Sequence, residues 1–104
     1  MASAMRNLIG TRVEKGEYNV VLTMVWNEAG THWRSLAGQT YLVAAAISEA
    51  SRNERWCIEV DAGCSLLGGT HVATTIRLEL AEGDAGEMAR AEALLRKVAQ
   101  DIKG

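Results

Sequence analysis

At 104 residues and 48% apolar content, the chain has the length of one domain and can bury a core without disulfide or metal staples. Its formal charge of −2, from 11 basic and 13 acidic residues interspersed along the sequence, supplies neither a positive field for a nucleic-acid backbone nor a basic helix for an anionic membrane. No stretch approaches the ~18 apolar residues of a membrane-spanning helix, and Met1-Ala2-Ser3-Ala4-Met5 lacks the form of a signal peptide, so the expected setting is cytoplasmic.

From about Arg6 to Arg52 the chain reads strand, turn, strand, helix, and from Arg55 to the end it reads the same again. The blocks share an order of elements without a residue-level repeat. Leu8 to Val13 forms an edge strand interrupted by Gly10, and Glu14-Lys15-Gly16-Glu17 is a turn in which Gly16 can adopt positive φ. Tyr18, Val20, Leu22, Met24 and Trp26 then alternate with Asn19, Val21, Thr23 and Val25. Apolar residues on both sides of that alternation predict a central strand.

After the turn at Asn27 to Thr31, a helix begins between Thr31 and Thr40 and continues to Ala50. Its stripe of Val43, Ala44, Ile47 and Ala50 is widened by Tyr41, Leu42 and Ala45 beyond what one sheet contact requires, which suggests burial against a partner subunit. Following the charged knot Ser51 to Arg55, Trp56, Ile58 and Val60 alternate with Cys57, Glu59 and Asp61. Ala62 to Gly69 is expected as a long loop, and Val72, Thr74, Ile76, Leu78 and Leu80 as the returning strand. Asp84 with Glu87 three residues on has the form of a capping box, opening a helix with the stripe Met88, Ala91, Leu94, Leu95, Val98 and Ile102.

The resulting ββαββα order predicts an α+β two-layer sandwich, a mainly antiparallel four-stranded sheet with two helices on one face. Moving the last strand of the ferredoxin-like βαββαβ order to the front yields this order, and a right-handed crossover then gives the spatial order 1-2-4-3. A plain meander of two hairpins is the competing arrangement. In either case Leu22, Met24, Trp56, Ile58, Val72 and Ile76 face the helices. The opposite face displays Val21, Thr23, Val25, Cys57, Glu59, Asp61, His71, Ala73, Thr75 and Arg77, half polar and half apolar. A ligand or a second subunit is a reasonable occupant of that face.

No residue constellation requires catalysis. A hairpin that sets Trp56 against Ile76 and Val60 against Val72 places His71 opposite Asp61 and Cys57 opposite Thr75. Cys57 and His71 then stand about 13 Å apart along the strands, too far for a nucleophile and base. His71 beside Asp61 or Glu59 reads as a cross-strand polar pair that favours the protonated imidazole, either a ligand anchor or a solvated hairpin end. Glu59 and Asp61 as paired carboxylates are a weak signal, common on sheet surfaces.

His32, His71, Cys57 and Cys64 lie in separate elements with no metal-ligand spacing, and the glycines at 63, 68 and 69 precede a strand instead of the helix a phosphate loop needs. No metal or cofactor is expected. Leu66-Leu67, at a loop tip, either fold back onto the core or touch a partner. Trp33 and Arg34 are residue types enriched at binding hot spots, although Trp33 could equally cap the sheet edge as core.

The expectation is therefore a small soluble binding or interaction module, homodimeric, engaging a protein partner or small-molecule ligand through Trp33, Arg34, Glu59, Asp61, Leu66, Leu67, His71 and Arg77. A cofactor-free enzyme or ligand-binding protein, with a pocket between sheet and helices, is the alternative. Nucleic acid and membrane are not expected as partners.

Overall fold

The computed structural model describes residues 5, 7–27, 33–66 and 71–103, with positions 33 and 64–66 described by backbone alone. Along the chain come β1 (Leu8–Lys15), β2 (Asn19–Asn27), α1 (Trp33–Ala50), β3 (Cys57–Leu66), β4 (His71–Glu79) and α2 (Ala85–Lys103). The strands lie in the order β1-β2-β4-β3, with every neighbouring pair antiparallel. β4 therefore sits between β2 and β3, which run parallel to each other. This is the permuted ferredoxin-like arrangement; a meander would have kept β2 and β3 adjacent. Both helices cover one face, α1 over β3 and β4, α2 over β1 and β2.

Alternation along the two central strands builds the core. Val20, Leu22, Met24 and Trp26 of β2 and Val72, Ile76 and Leu78 of β4 are buried beneath Leu36, Val43 and Ile47 of α1 and Ala91, Leu95 and Ala99 of α2. Small residues at 91 and 99, one turn to either side of Leu95, let α2 lie close to the sheet. Leu94, Val98 and Ile102 flank that line half-buried, so the expected stripe is present with Leu95 at its centre.

Among the described residues, the core contains one chain of polar groups that ties β2, β4 and α1 together. The Trp26 indole N–H donates to Thr74 Oγ1 at 2.9 Å, Thr74 and Thr40 hydroxyls lie 2.8 Å apart, and Thr40 Oγ1 donates to the Leu36 carbonyl at 2.8 Å. Each hydroxyl has a single proton, so the consistent assignment has Thr74 donating to Thr40. Every member is buried.

The first hairpin differs from the sequence expectation. β1 continues to Lys15, and the positive φ falls on Tyr18, at 65°, instead of on Gly16. Gly16 N–H donates to Asn19 O at 2.8 Å, which closes the turn around Glu17 and Tyr18. Tyr18 therefore leaves the core row and is 55% exposed. Its carbonyl accepts the Leu80 N–H at 2.8 Å, and its ring covers Gly83, where φ is 75° and a Cβ would overlap the ring. A glycine is required at 83 on both counts.

The capping box is also modified. Asp84 caps α2 as expected, its Oδ1 accepting the Glu87 N–H at 2.8 Å. The Glu87 carboxylate, however, does not return to the Asp84 N–H. It accepts the N–H groups of Ala81, Glu82 and Gly83 at 2.7–2.9 Å and the Trp56 indole N–H at 2.8 Å. Burial resists its ionisation, but the donors from Gly83, Glu82 and Ala81, with Trp56, outweigh that and hold its pKa at about 2.

Candidate functional site

The register of β3 against β4 decides which polar residues meet on the face away from the helices. Cys57 pairs with Glu79, Glu59 with Arg77 and Asp61 with Thr75, after which a bulge between Asp61 and Ser65 shifts the ladder so that Leu66 pairs with Val72. The expected pairing of His71 with Asp61 is thus incorrect. β3 does not end at Asp61 but runs on to Leu66, so that the partner of Asp61 is Thr75, four positions along β4 from His71. The Gly63 N–H donates to Asp61 Oδ1 at 3.1 Å inside that bulge.

His71 stands opposite Asn27 of β2 at the end of the sheet. Four residues of β4 separate it from the partner of Asp61, about 13 Å at the usual strand rise, and eight separate it from the partner of Cys57, about 26 Å. A Cys57 and His71 dyad is therefore further from feasible than in the expected register. Among the described residues, no group of three His, Cys, Asp or Glu side chains converges in a way that could hold a metal ion.

Three of the residues singled out from sequence do come together. Glu59, Asp61 and Arg77, with Val21, Val60 and Thr75, line an open depression of about 560 Å³ on the face of the sheet away from the helices, where Thr23 and Ala73 are buried. Arg77 Nε donates to Glu59 Oε1 at 2.9 Å, its Nη2 reaches the same oxygen, and Glu79 lies 3.4 Å from Nε. The bond to Glu59, aided by the charge on that carboxylate, raises the guanidinium pKa further. Arg77 is consequently committed to its own carboxylates, and a ligand in the depression would have to compete with them.

Of the others, Arg34 and His71 and the backbone of Trp33 and Leu66 lie at one end of the fold. Asn27 pairs with His71 and Val72 with Leu66, so the end of β2, the end of β3 and the start of β4 share one edge. Thr40 of α1 lies over Thr74, and α1 runs parallel to β4, which brings the backbone of Trp33 and Arg34 toward that same end. The side chains of Trp33 and Leu66, and the whole of Leu67, fall outside the described residues; Arg34 is exposed in the first turn of α1.

Two further surfaces were only partly legible or not legible at all from sequence. From Ser35 to Ser48, α1 has no charged residue, and its outward side presents Tyr41 at 57% and Leu42 at 64% exposure, with Gly38, Ala45 and Ala46 also exposed. The broad apolar stripe had pointed to this. A second depression, of about 700 Å³, opens at the free edge of β1, lined by Thr11, Arg12, Val13, Arg96, Ala99, Gln100 and Lys103. Its residues come from segments some eighty positions apart, so only the packing of α2 beside β1 reveals it. No helix among the described residues is long and apolar enough to cross a membrane.

Compared with protein-family models, with curated proteins and with solved structures, the chain matches none.

Proposed function

We propose that the chain is a small, non-catalytic interaction module of the cytoplasm that pairs with a second copy of itself through the outward face of α1. The observation that carries this reading is the uncharged run from Ser35 to Ser48, on a helix whose Tyr41 and Leu42 stand in solvent. A surface helix ordinarily turns a charged or polar stripe outward, so this one is suited to contact with another apolar surface.

The spacing favours a second copy as the occupant. Ser35, Gly38, Leu42, Ala45 and Glu49 recur at alternating steps of three and four, the period of a helix seam, and all are exposed. A Cβ at Gly38 would meet nothing within 4 Å, so a neighbouring helix can approach closely there. Two α1 helices crossing antiparallel with Leu42 on the two-fold axis bring Gly38 against Ala46 of the second copy. The same crossing brings Arg34 of one copy to Glu49 of the other, a charge match at each end. An exposed free thiol at Cys57 suits a reducing compartment. The sheet face away from the helices carries Glu14, Glu59, Asp61 and Glu79 against Arg12 and Arg77 and, among the described residues, no aromatic platform, a surface poorly suited to a nucleic acid.

The 18 residues of α1 span about 27 Å, and such a strip falls short of the ~800 Å² per partner of a standard stable interface. A weak dimer, with a dissociation constant in the range of tens of micromolar, is expected. Sedimentation equilibrium across a concentration series should show the mass rising toward twice that of the chain, and Leu42→Glu should return it to the monomer with an unchanged circular-dichroism spectrum. A parent chain that stays monomeric at several hundred micromolar would sink the proposal.

A further inference from the structure

The free edge of β1 has the geometry of a strand acceptor. Gly16 N–H donates to Asn19 O, so positions 16 and 19 form a hydrogen-bonded pair and the phase of the β1–β2 ladder follows by alternation. Glu14, Arg12 and Gly10 direct their backbone groups at β2. Thr11, Val13 and Lys15 direct theirs away from it, toward the outer edge. Among the described residues, no strand lies on that side, because β1 is the first strand of the sheet.

The surroundings of that edge are basic. The groove beside it is lined on the helix side by Arg96, Gln100 and Lys103 and on the opposite side by Arg12, with Val13 and Ala99 as an apolar floor, and among the described residues no carboxylate lines it. Carboxylates do lie at its margins, Glu14 at 3.4 Å from Arg12 and Glu92 at 2.9 Å from Arg96 and 3.5 Å from Lys15. Counting these, Arg12, Lys15, Arg96 and Lys103 against Glu14 and Glu92 leave a local charge of +2 in a chain whose total is −2. The sign at this edge is opposite to that of the whole molecule.

We infer that the β1 edge takes up an extended acidic peptide segment of a protein partner as a fifth strand, held by the outward backbone groups of Thr11, Val13 and Lys15 and by Arg12, Arg96 and Lys103. The alternation of the added strand sets its chemistry. Its residues opposite Thr11, Val13 and Lys15 turn toward α2, where Arg96 and Lys103 stand, so carboxylates belong at those alternate positions. Residues between them lie on the face away from the helices beside Arg12, where an apolar or acidic side chain fits. A second copy of the chain is a poorer occupant. Antiparallel pairing of two β1 strands about Val13 would lay the two α2 helices side by side with Arg96 facing Arg96 near the axis.

The test is a titration of the isotope-labelled full chain with a short capped peptide alternating glutamate and valine, followed through the backbone amide resonances. The expected result is a shift and slowed hydrogen exchange at Thr11, Val13 and Lys15, with no binding of the matching lysine and valine peptide. Arg96→Gln and Lys103→Gln should each weaken binding about threefold, as removal of one partly exposed charge pair does. Thr11→Pro, which removes one outward N–H without touching the β2 ladder, should weaken it further. Equal binding of the lysine peptide, shifts centred on the sheet face away from the helices, or no binding by either peptide would overturn the inference. So would concentration-dependent protection of the same three amides in the free chain, because a second copy would then occupy the edge. Leu42→Glu, which tests α1, should leave peptide binding intact, so failure of one proposal is distinguishable from failure of the other.

Discussion

Replacing Thr74 by valine removes one oxygen atom from the core at nearly constant volume, and its cost measures the buried polar chain directly. The Trp26 indole N–H would lose its acceptor at 2.9 Å and the Thr40 hydroxyl its neighbour at 2.8 Å, while Trp26, Thr40 and Thr74 are all within 1% of full burial. No water can reach the orphaned indole N–H without opening the contact between α1 and the sheet. A buried donor left without a partner costs about 1–3 kcal/mol, and the indole is fully enclosed, so we expect about 2 kcal/mol. For a domain of this length that is about 10 °C in Tm.

Thr40→Val should cost a similar amount, about 1–2 kcal/mol, because it strands the buried Thr74 hydroxyl proton, although the Leu36 carbonyl keeps its place in the α1 backbone ladder. The double variant should then be about 1 kcal/mol more stable than the sum of the two single changes predicts, since the contact between the hydroxyls is lost only once. Urea denaturation of the four proteins supplies the cycle. A Thr74→Val chain within about 0.5 kcal/mol of the parent, or strict additivity, would refute the assignment of this chain as a continuous network.

Leu95→Ala should cost about 2–5 kcal/mol, read as a lowered urea midpoint with an unchanged slope, because Leu95 is wholly buried at the centre of the α2 stripe. Glu87 should give the chain an acid limb: its folded pKa of about 2 lies below the ~4.3 of an unfolded glutamate, so its contribution is complete above about pH 4.3 and is lost as the pH falls toward 2. Glu87→Gln should flatten the parent's stability loss between pH 4.3 and 2 while lowering the plateau at neutral pH; an unchanged pH profile would show that the cradle contributes nothing to folding.

Much of the fold was legible because the period-two pattern of β2 and the helical pattern of α2 are long and uninterrupted. Val20, Leu22, Met24 and Trp26 all fall on the buried row, and Asp84 caps α2 where expected. The errors arose where one residue's role depends on a contact distant in sequence. Tyr18 reads as the first residue of the core row, yet it takes the positive φ of the turn because its carbonyl and ring are claimed by Leu80 and Gly83. The β3 register failed for a similar reason. Ala62 and Gly63 resemble loop residues, and only their place in a bulge lets the strand continue to Leu66. The opposite charges of Glu59 and Arg77 were the signal that could have fixed the register, since aligning them also aligns Val60 with Ile76 and Ile58 with Leu78.

The candidate surfaces divide along the same line. The α1 face was visible as a stripe too wide for one contact, because a helix shows all its faces in a local window. The β1 edge was not, because its basic character exists only after α2 is laid against β1 and brings Arg96 and Lys103 beside Arg12. The topology also keeps these surfaces apart. With β4 inserted between β2 and β3, α1 covers β3 and β4 and α2 covers β1 and β2, so the outward side of α1 lies over the opposite half of the sheet from the β1 edge. A second copy seated on α1 therefore leaves both β1 edges open, and a dimer would present two acceptors whose spacing is fixed by the α1 crossing. Two acidic segments on one flexible chain should then bind the parent more tightly than they bind Leu42→Glu, in which each protomer offers a single edge.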